Sequence, residues 1–518
     1  MADGDTALSS LRPEGGPVAR RLRLQSLVLC GCVALLAVFW QQRWGTVPDT
    51  SWLITVSERV LGGERLYADL IEANPPFSVW MYMPAVAAAD LLRMKPEPMV
   101  HAYTYLLCSL GLLLAALNAR RAGFAENGGL LALLPVFFAL MVIVPGNAFT
   151  QRDQVGAVLL APLLVLTAWR IEADAQHQPS WKFAIPSGLF ASVIVLVKPH
   201  YALLLIAPAL YFAFAKRRLG VLFGPEYWCA VGMCIVYLAA VLWFHPEFVS
   251  KIMPLLSQTY LSVGEPYWIL LQRYAAGYLL LLLLWYFIRP GLPLSPLAGV
   301  FALASVAAAA VMVYQGKGWP YHAYPAIAFG LAAVLCQAVR SPADSIREIG
   351  GARALLLAVT VAVNTLPFMP SQKPSAELLA EIREAVERPT VAMIGTDIAV
   401  GHPLVRMVGG YWISSYCSDW LGSYAHYLAS IARAEGRPGA DRLAAIASGY
   451  TAFKLSELER EVPELLLVQK DDELWRGYLA QDARFIRFFN DYRLLSEDRI
   501  IAAYQRNVSS VSRVSGSD

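Results

Sequence analysis

Several short runs of this 518-residue sequence place acids and bases where a hydrophobic chain has no ordinary use for them. Asp49 follows directly on the first apolar segment. FTQRD, at 149–153, sets Arg152 and Asp153 at the start of another. KPH, at 198–200, puts Lys198 and His200 between two apolar stretches with no loop to solvate them. QGKGWPYH, at 315–322, joins Lys317 and His322 to Trp319, Tyr321 and two glycines, and Arg273 lies a turn inside a further apolar segment. An unpaired charge against lipid is expensive, so each of these needs a partner, a route to water or a use. One acid in the company of several cations equips a site in which a carboxylate takes the proton of a hydroxyl while cations hold a phosphate leaving group.

Each run also has a plain structural reading. Asp49 is a favoured N-cap type for a helix beginning near Ser51. Asn74-Pro75-Pro76 breaks a helix wherever it occurs. Arg152 and Asp153 at a helix start can satisfy each other and the helix dipole. An interfacial aromatic belt explains Trp319 and Tyr321, but not Lys317 and His322. Arg273 can snorkel or bind phosphate.

The elements that must carry these residues follow from composition. Hydrophobic residues make up 57% of the chain and charged residues 16%, against roughly 25% charged in soluble domains. With a mean hydropathy of +0.48, this is a polytopic α-helical membrane protein. A net charge of +3 is too small for a nucleic-acid partner, and the lipid bilayer is the partner implied. Six of the seven cysteines fall in apolar segments and leave Cys417 alone, so neither a disulfide framework nor a zinc site is readable. The segment Leu24 to Trp40 lacks a small-residue cleavage site and reads as a retained first span.

Spanning helices need about 20 mostly apolar residues. Eleven such windows occur, near 24–40, 100–118, 128–146, 154–169, 183–198, 200–215, 226–244, 268–288, 293–314, 322–339 and 352–369. The stretch 77–92 is shorter, opens with Pro75 and Pro76 and holds Asp90, so it reads as a span or an interfacial helix. The positive-inside rule decides. If 77–92 does not cross, one set of loops holds Arg120, Arg121, Arg170, Lys182, Lys216, Arg217, Arg218, Arg289, Arg340, Arg347 and Arg353. The other set holds only Arg152, Lys198, Lys251 and Lys317. The expected topology is therefore a cytoplasmic tail at 1–23, a transmembrane domain at 24–369 with a first outer loop at 41–99, and the C-terminus outside. All the unusual polar runs then share the outer face.

From Pro370 the composition becomes that of a soluble domain, expected over 370–505 as an α/β layer on the outer, periplasmic side. Strands are expected at 391–395, 464–468 and 500–504, with helices through Val386 and at 420–434, 440–449 and 472–490. The tail 506–518 reads as disordered. On this layout the site chemistry becomes glycosyl transfer from a polyprenyl-phosphate sugar at the outer leaflet.

The order of a first span, Asp49, a helix and GGERLYADLIEANPPFSVW resembles the first outer loop of the GT-C fold integral membrane glycosyltransferases. It is similar to the protein mannosyltransferase-like and aminoarabinose transferase-like group, families 39 and 83. The layout covers the whole membrane portion, and the first loop is its specific part. The resemblance implies that Asp49 is the general base on the acceptor hydroxyl, with inversion at the anomeric carbon. It places Asp153 as the second-loop acid, which supports the site and in some branches joins a metal; a divalent cation, Mg2+ or Mn2+, is left open, and the adjacent Arg152 puts it in doubt. Arg152, Lys198, His200, Arg273, Lys317 and His322 are expected at the donor phosphate, on chemistry rather than by family position. Tyr67, Asn74, Trp319 and Tyr321 are expected at the substrate. The implied protein sits in a bacterial inner membrane with its site facing the periplasm. It takes a polyprenyl-phosphate sugar as donor and a polysaccharide, lipid or protein as acceptor. A transporter or flippase of lipid-linked sugars would share the cations without needing Asp49 as a base, and a noncatalytic envelope-assembly component is the third reading.

Overall fold

A computed structural model describes residues 17–124, 129–174, 176–288, 293–339 and 351–507. Residues 1–16 and 508–518 of the two expected tails, with Arg289, Arg340 and Arg347 of the charge count, lie outside the described residues. The first helix, α1 (Pro17–Gln41), starts ahead of the apolar segment, because Ala, Arg and Leu are all good helix formers.

The first loop holds three helices. In α2 (Pro48–Leu61) the ring of Pro48 presets the helical φ at the first position, and Asp49 lies in the first turn. Two short helices, α3 (Phe77–Trp80) and α4 (Met83–Leu91), follow the proline pair. The longer of these rises only about 14 Å, far less than the hydrocarbon thickness. Neither helix of the segment 77–92 is long enough to cross by itself.

Behind this loop come α5 (Pro96–Arg121), α6 (Gly129–Ala132), α7 (Leu134–Val142), α8 (Arg152–Glu172), α9 (Trp181–Val197) and α10 (Ala202–Ala215). They are followed by α11 (Pro225–Phe244), the short α12 (Met253–Gln258), α13 (Tyr267–Ile288), α14 (Pro296–Gln315), α15 (Tyr324–Ala338) and α16 (Gly351–Thr365). Every expected window contains helix. Among the described residues, seven helices are long and apolar enough to cross a membrane: α1, α5, α8, α11, α13, α14 and α16 with its 3-10 extension. The window at 128–146 is broken at Leu133, because Pro135 lacks the N–H that a continuous helix would need. The hub is α8, buried from Arg152 to Ile171 and packed against α5, α9, α14 and α15. Peripheral helices turn large side chains such as Leu35, Phe39, Trp243 and Leu279 outward, an apolar exterior suited to lipid.

The C-terminal part contains α17 (Ala376–Ala385), β1 (Thr390–Ile394), α18 (Leu404–Met407), β2 (Tyr411–Trp412), α19 (Trp420–Ala434), α20 (Ala440–Glu461) and β3 (Leu465–Gln469). It ends with α21 (Glu473–Leu479), α22 (Ala483–Phe489), β4 (Tyr492–Glu497) and β5 (Ile501–Arg506). The sheet order is β2-β1-β3-β5-β4, with β1 parallel to both β2 and β3, and β5 antiparallel to β3 and β4. The single helix expected at 472–490 is two. Asp472 caps the first by accepting from the Trp475 N–H, and Asp482 caps the second. The sheet runs to Arg506, one residue past the expected domain end.

The two parts are fastened together at the first loop. Arg406, at 12% side-chain exposure, donates to Glu58 and to Glu97 at 2.6 Å. Arg59 donates to the Ser414 carbonyl at 2.8 Å, and the Ile71 N–H to the Ser415 carbonyl at 2.8 Å. Gln372 N–H reaches the Trp44 carbonyl at 2.9 Å.

Candidate active site

Asp49 does not cap α2. The residue before the helix is Val47, with no side-chain cap, and the Asp49 carboxylate turns instead to the FTQRD run. Gln151 Nε2 donates to Asp49 Oδ2 at 3.2 Å and Arg152 Nη2 to Oδ1 at 3.5 Å. This approach depends on the turn before α8. Gly146 has a φ of +48°, and a Cβ there would lie 2.3 Å from the Phe368 carbonyl oxygen. Asp49 keeps 22% of its side chain exposed, while Arg152 keeps 2%. Arg152 Nη1 is buried without a hydrogen-bond partner, so the guanidinium has a donor left over beside the carboxylate.

Arg152 and Asp153 do not pair with each other. Asp153, fully buried, takes the Lys198 ammonium at 3.0 and 3.1 Å on its two oxygens and a hydrogen bond from the Tyr201 hydroxyl. Lys198 Nζ also lies 3.0 Å from Gln315 Oε1 and 3.0 Å from His322 Nε2. Lys198 thus finds the anionic partner its position demands. Its ammonium is surrounded, and within the protein its charge is met by Asp153. His322 belongs to the same cluster.

Lys317 and Arg273 stand apart from it. Lys317 Nζ donates to the carbonyls of Tyr260 and Val263 and sits 4.1 Å from the Tyr260 ring centroid; burial pushes its pKa down to about 8. Arg273 donates to the Gly318 carbonyl at 2.9 Å and pairs with Glu265 at 2.8 Å. Both brace the 315–322 loop. Gly316 and Gly318, at φ of +66° and +69°, supply its left-handed turns, and a Cβ on Gly318 would strike Arg273 at 2.4 Å. His200 is half-buried beside the Tyr201 and Tyr314 rings, with its Nε2 unpartnered. Tyr67 turns into the first loop. It is buried, donates to the Asn74 carbonyl at 2.5 Å and packs on Phe248, which makes it a brace of the first loop.

Asp49 opens on a cavity of about 470 Å3 between the membrane helices and the C-terminal part. Asn74, Trp319 and Tyr321 line it. So do residues that sequence reasoning missed: Glu72, Tyr260, Asp397, Trp420, Tyr424 and Gln469. Glu72 stands in the quoted EANPP motif and was readable as a carboxylate two residues before Asn74, whose N–H it accepts at 2.8 Å. Its buried carboxyl is raised above the usual range, with Arg152 and the hydrogen bonds from Asn74 and Trp52 opposing the shift. Burial, helped by the nearby charges of Asp471 and Asp49 and opposed by the Ala399 N–H, likewise raises the Asp397 carboxyl. Nothing in the sequence pairs the distant 396–399 and 417–424 segments with Asp49.

The acids present do not fit a divalent cation. Asp49 lies against a guanidinium, Asp153 is filled by Lys198 and Tyr201, and no group of three metal-ligating side chains is close enough among the described residues.

Fold and layout together are those of the GT-C class of membrane proteins. The crystal structure of ArnT from Cupriavidus metallidurans bound to undecaprenyl phosphate aligns over 93% of this chain and 98% of its own, at a TM-score of 0.55 and 12% identity. The apo state of the same protein aligns over the same shares, at 0.52 and 14%. The archaeal oligosaccharyltransferase AglB from Archaeoglobus fulgidus aligns more loosely, over 94% of this chain and 74% of its own, at 0.43 and 13%. No protein-family model matches the sequence, and no curated protein matches it.

Proposed function

We propose that this chain is a glycosyltransferase of the bacterial inner membrane, moving a sugar from a polyprenyl-phosphate donor to an acceptor hydroxyl at the periplasmic face, with inversion. The observation that carries this is Asp49: a partly exposed carboxylate at a cavity, held by Gln151 and Arg152, in a fold shared with a protein crystallised on undecaprenyl phosphate. Its orientation is fixed by these two donors, so it is presented to the cavity without being consumed by a bidentate ion pair. In the reaction Asp49 accepts the proton of the acceptor hydroxyl as that oxygen bonds to the anomeric carbon. The bond from this carbon to the phosphate oxygen breaks, and its electron pair leaves with polyprenyl phosphate. Arg152, buried behind the base with its Nη1 unpartnered, does not line the cavity and lends its positive charge to the leaving phosphate through space. Lys198 and His322 hold Asp153, and through it the start of α8, in place. The acceptor is a polysaccharide, lipid or protein.

The test is sugar transfer by purified protein in liposomes, with a panel of polyprenyl-phosphate sugars and a membrane extract as acceptor. Asp49→Asn should lower transfer by about 10^2 to 10^4 while donor binding persists, the usual worth of a general base. Equal activity in both proteins removes Asp49 from the chemistry. Donor binding without transfer by wild type shifts the reading to a flippase.

A further inference from the structure

The cavity in front of Asp49 has a chemical character of its own. Among its described lining residues there is no lysine, arginine or histidine, while three carboxylates face it: Asp49, Glu72 and Asp397. Its walls are aromatic from both sides. Trp319 and Tyr321 come from the membrane domain, Trp420 and Tyr424 from α19, and Tyr260 joins the two sets, with ring centroids 6.3 Å from Trp319 and 5.7 Å from Trp420. Two polar atoms of these walls are unsatisfied. The Tyr321 hydroxyl and the Trp420 indole nitrogen are buried, on side chains 8% and 4% exposed, and neither has a hydrogen-bond partner. A buried indole N–H can only donate, so what it lacks is an acceptor oxygen.

The roof lies where open α/β sheets bind ligands. From β1 the chain goes to β2 on one side and later to β3 on the other, which makes the carboxyl ends of β1 and β3 the topological switch point. The residues there are Thr396 and Asp397 after β1 and Gln469 at the end of β3, and all three line the cavity. Gln469 Oε1 accepts from both the Thr396 and Asp397 N–H groups at 2.8 Å, so the crevice is preorganised.

We infer that this crevice is the acceptor subsite, that its ligand is an uncharged, hydroxyl-rich saccharide unit, and that its carboxylate rim rejects acceptors bearing phosphate or uronate groups near the reacting hydroxyl. Aromatic faces stack on the sugar's C–H surface, Trp420 and Tyr321 donate to its oxygens, and Asp397 accepts from its hydroxyls. This rests on the glycosyltransferase reading and narrows its acceptor.

The test is a binding measurement, so that it stands apart from turnover. Full-length protein in nanodiscs is titrated, by saturation-transfer NMR, with neutral hexose oligosaccharides and with the same backbones oxidised to uronates. Neutral saccharides should bind at least about tenfold tighter, since like charges brought together cost on the order of kcal/mol. Trp420→Phe, which keeps an aromatic face, though a smaller one, and removes the N–H, should weaken them by about fivefold. Asp397→Asn, at a solvent-accessible position, should narrow the neutral-to-uronate gap. Polyprenyl phosphate without sugar should not displace the bound saccharide. Uronates bound as well as neutral sugars, insensitivity to Trp420→Phe, or no binding of either series each overturns the inference. So does displacement by a sugar-loaded donor together with the bare lipid's failure to displace, which would give the crevice to the donor sugar. Saccharide binding with the predicted selectivity in a protein that transfers nothing would sink the transferase reading and leave the saccharide site.

Discussion

Asp153 and Lys198 illustrate what a buried charge in a membrane protein requires. Neither side chain has more than 13% exposure, and each is the other's main counter-charge. Removing one partner leaves the other uncompensated, so Lys198→Met should cost about 3–5 kcal/mol of stability, whereas Asp153→Leu combined with Lys198→Met should recover most of that loss. Thermal unfolding of the detergent-solubilised variants reads both; additive losses would show that the two charges do not act as a pair. Arg152 is a different case, because one of its nitrogens has no partner in the protein. Arg152→Lys keeps a charge but gives up the guanidinium fork beside Asp49. Transfer should fall by about 10^2 with modest loss of fold, measured as kcat/KM in the liposome assay. The same change without kinetic effect would limit Arg152 to holding Asp49.

Between elements, the clasp that matters is α18 on α2. Arg406 of α18 reaches Glu58 of α2 and Glu97 at the start of α5, and Thr55 at 3.1 Å. Glu58 is 41% exposed, so solvent screening discounts its share. Arg406→Ala should cost about 1–2 kcal/mol, and its signature should be local. Hydrogen exchange should quicken in 398–424 and leave α8 and α14 unchanged. Uniform quickening, or none, would show that the C-terminal part is held elsewhere. The turn at Gly146 is the second clasp, because it seats FTQRD under Asp49. Gly146→Ala drives a Cβ onto the Phe368 carbonyl and asks for a left-handed backbone, a cost of about 1–2 kcal/mol, and should lower transfer by misplacing Gln151 and Arg152.

For the molecule as a whole, the seam between membrane domain and sheet has a built-in acid sensitivity. His402 is buried between Trp52 of α2, 5.5 Å away, and Trp412 of β2, 4.7 Å away, with both ring nitrogens unpartnered. Burial, helped by the nearby Arg406 charge, pushes its pKa down from 6.5 to about 3. The folded protein therefore holds His402 neutral while the unfolded chain binds a proton below pH 6.5. Stability present above pH 6.5 drains as the pH falls toward 3, by about 1.4 kcal/mol per unit, or about 2 kcal/mol by pH 5. Thermal melts of wild type and His402→Phe over this range should diverge, with the variant flatter. Parallel curves would place the acid sensitivity in other groups.

Much of this protein follows from sequence because the bilayer is a severe solvent. Apolar windows, proline breaks and the charge bias between loops are local quantities, and they sufficed for the helical membrane domain, for a first loop of short helices, and for an α/β layer after Pro370. The residue types of the first loop drew attention to Asp49, and the fold sets it at the cavity. What stayed hidden is pairing, which depends on segments far apart in the chain. A lone lysine in an apolar stretch announces that it needs an anion, but only the packing of α8 against α9 brings Asp153 to Lys198. Lys317 and Arg273 looked equally free, and the fold gave them to backbone carbonyls and Glu265. The roof of the cavity was the least readable part. Thr396, Asp397 and Trp420 stand about 350 residues from Asp49, and no local pattern records that a sheet's switch point is set down over a membrane helix.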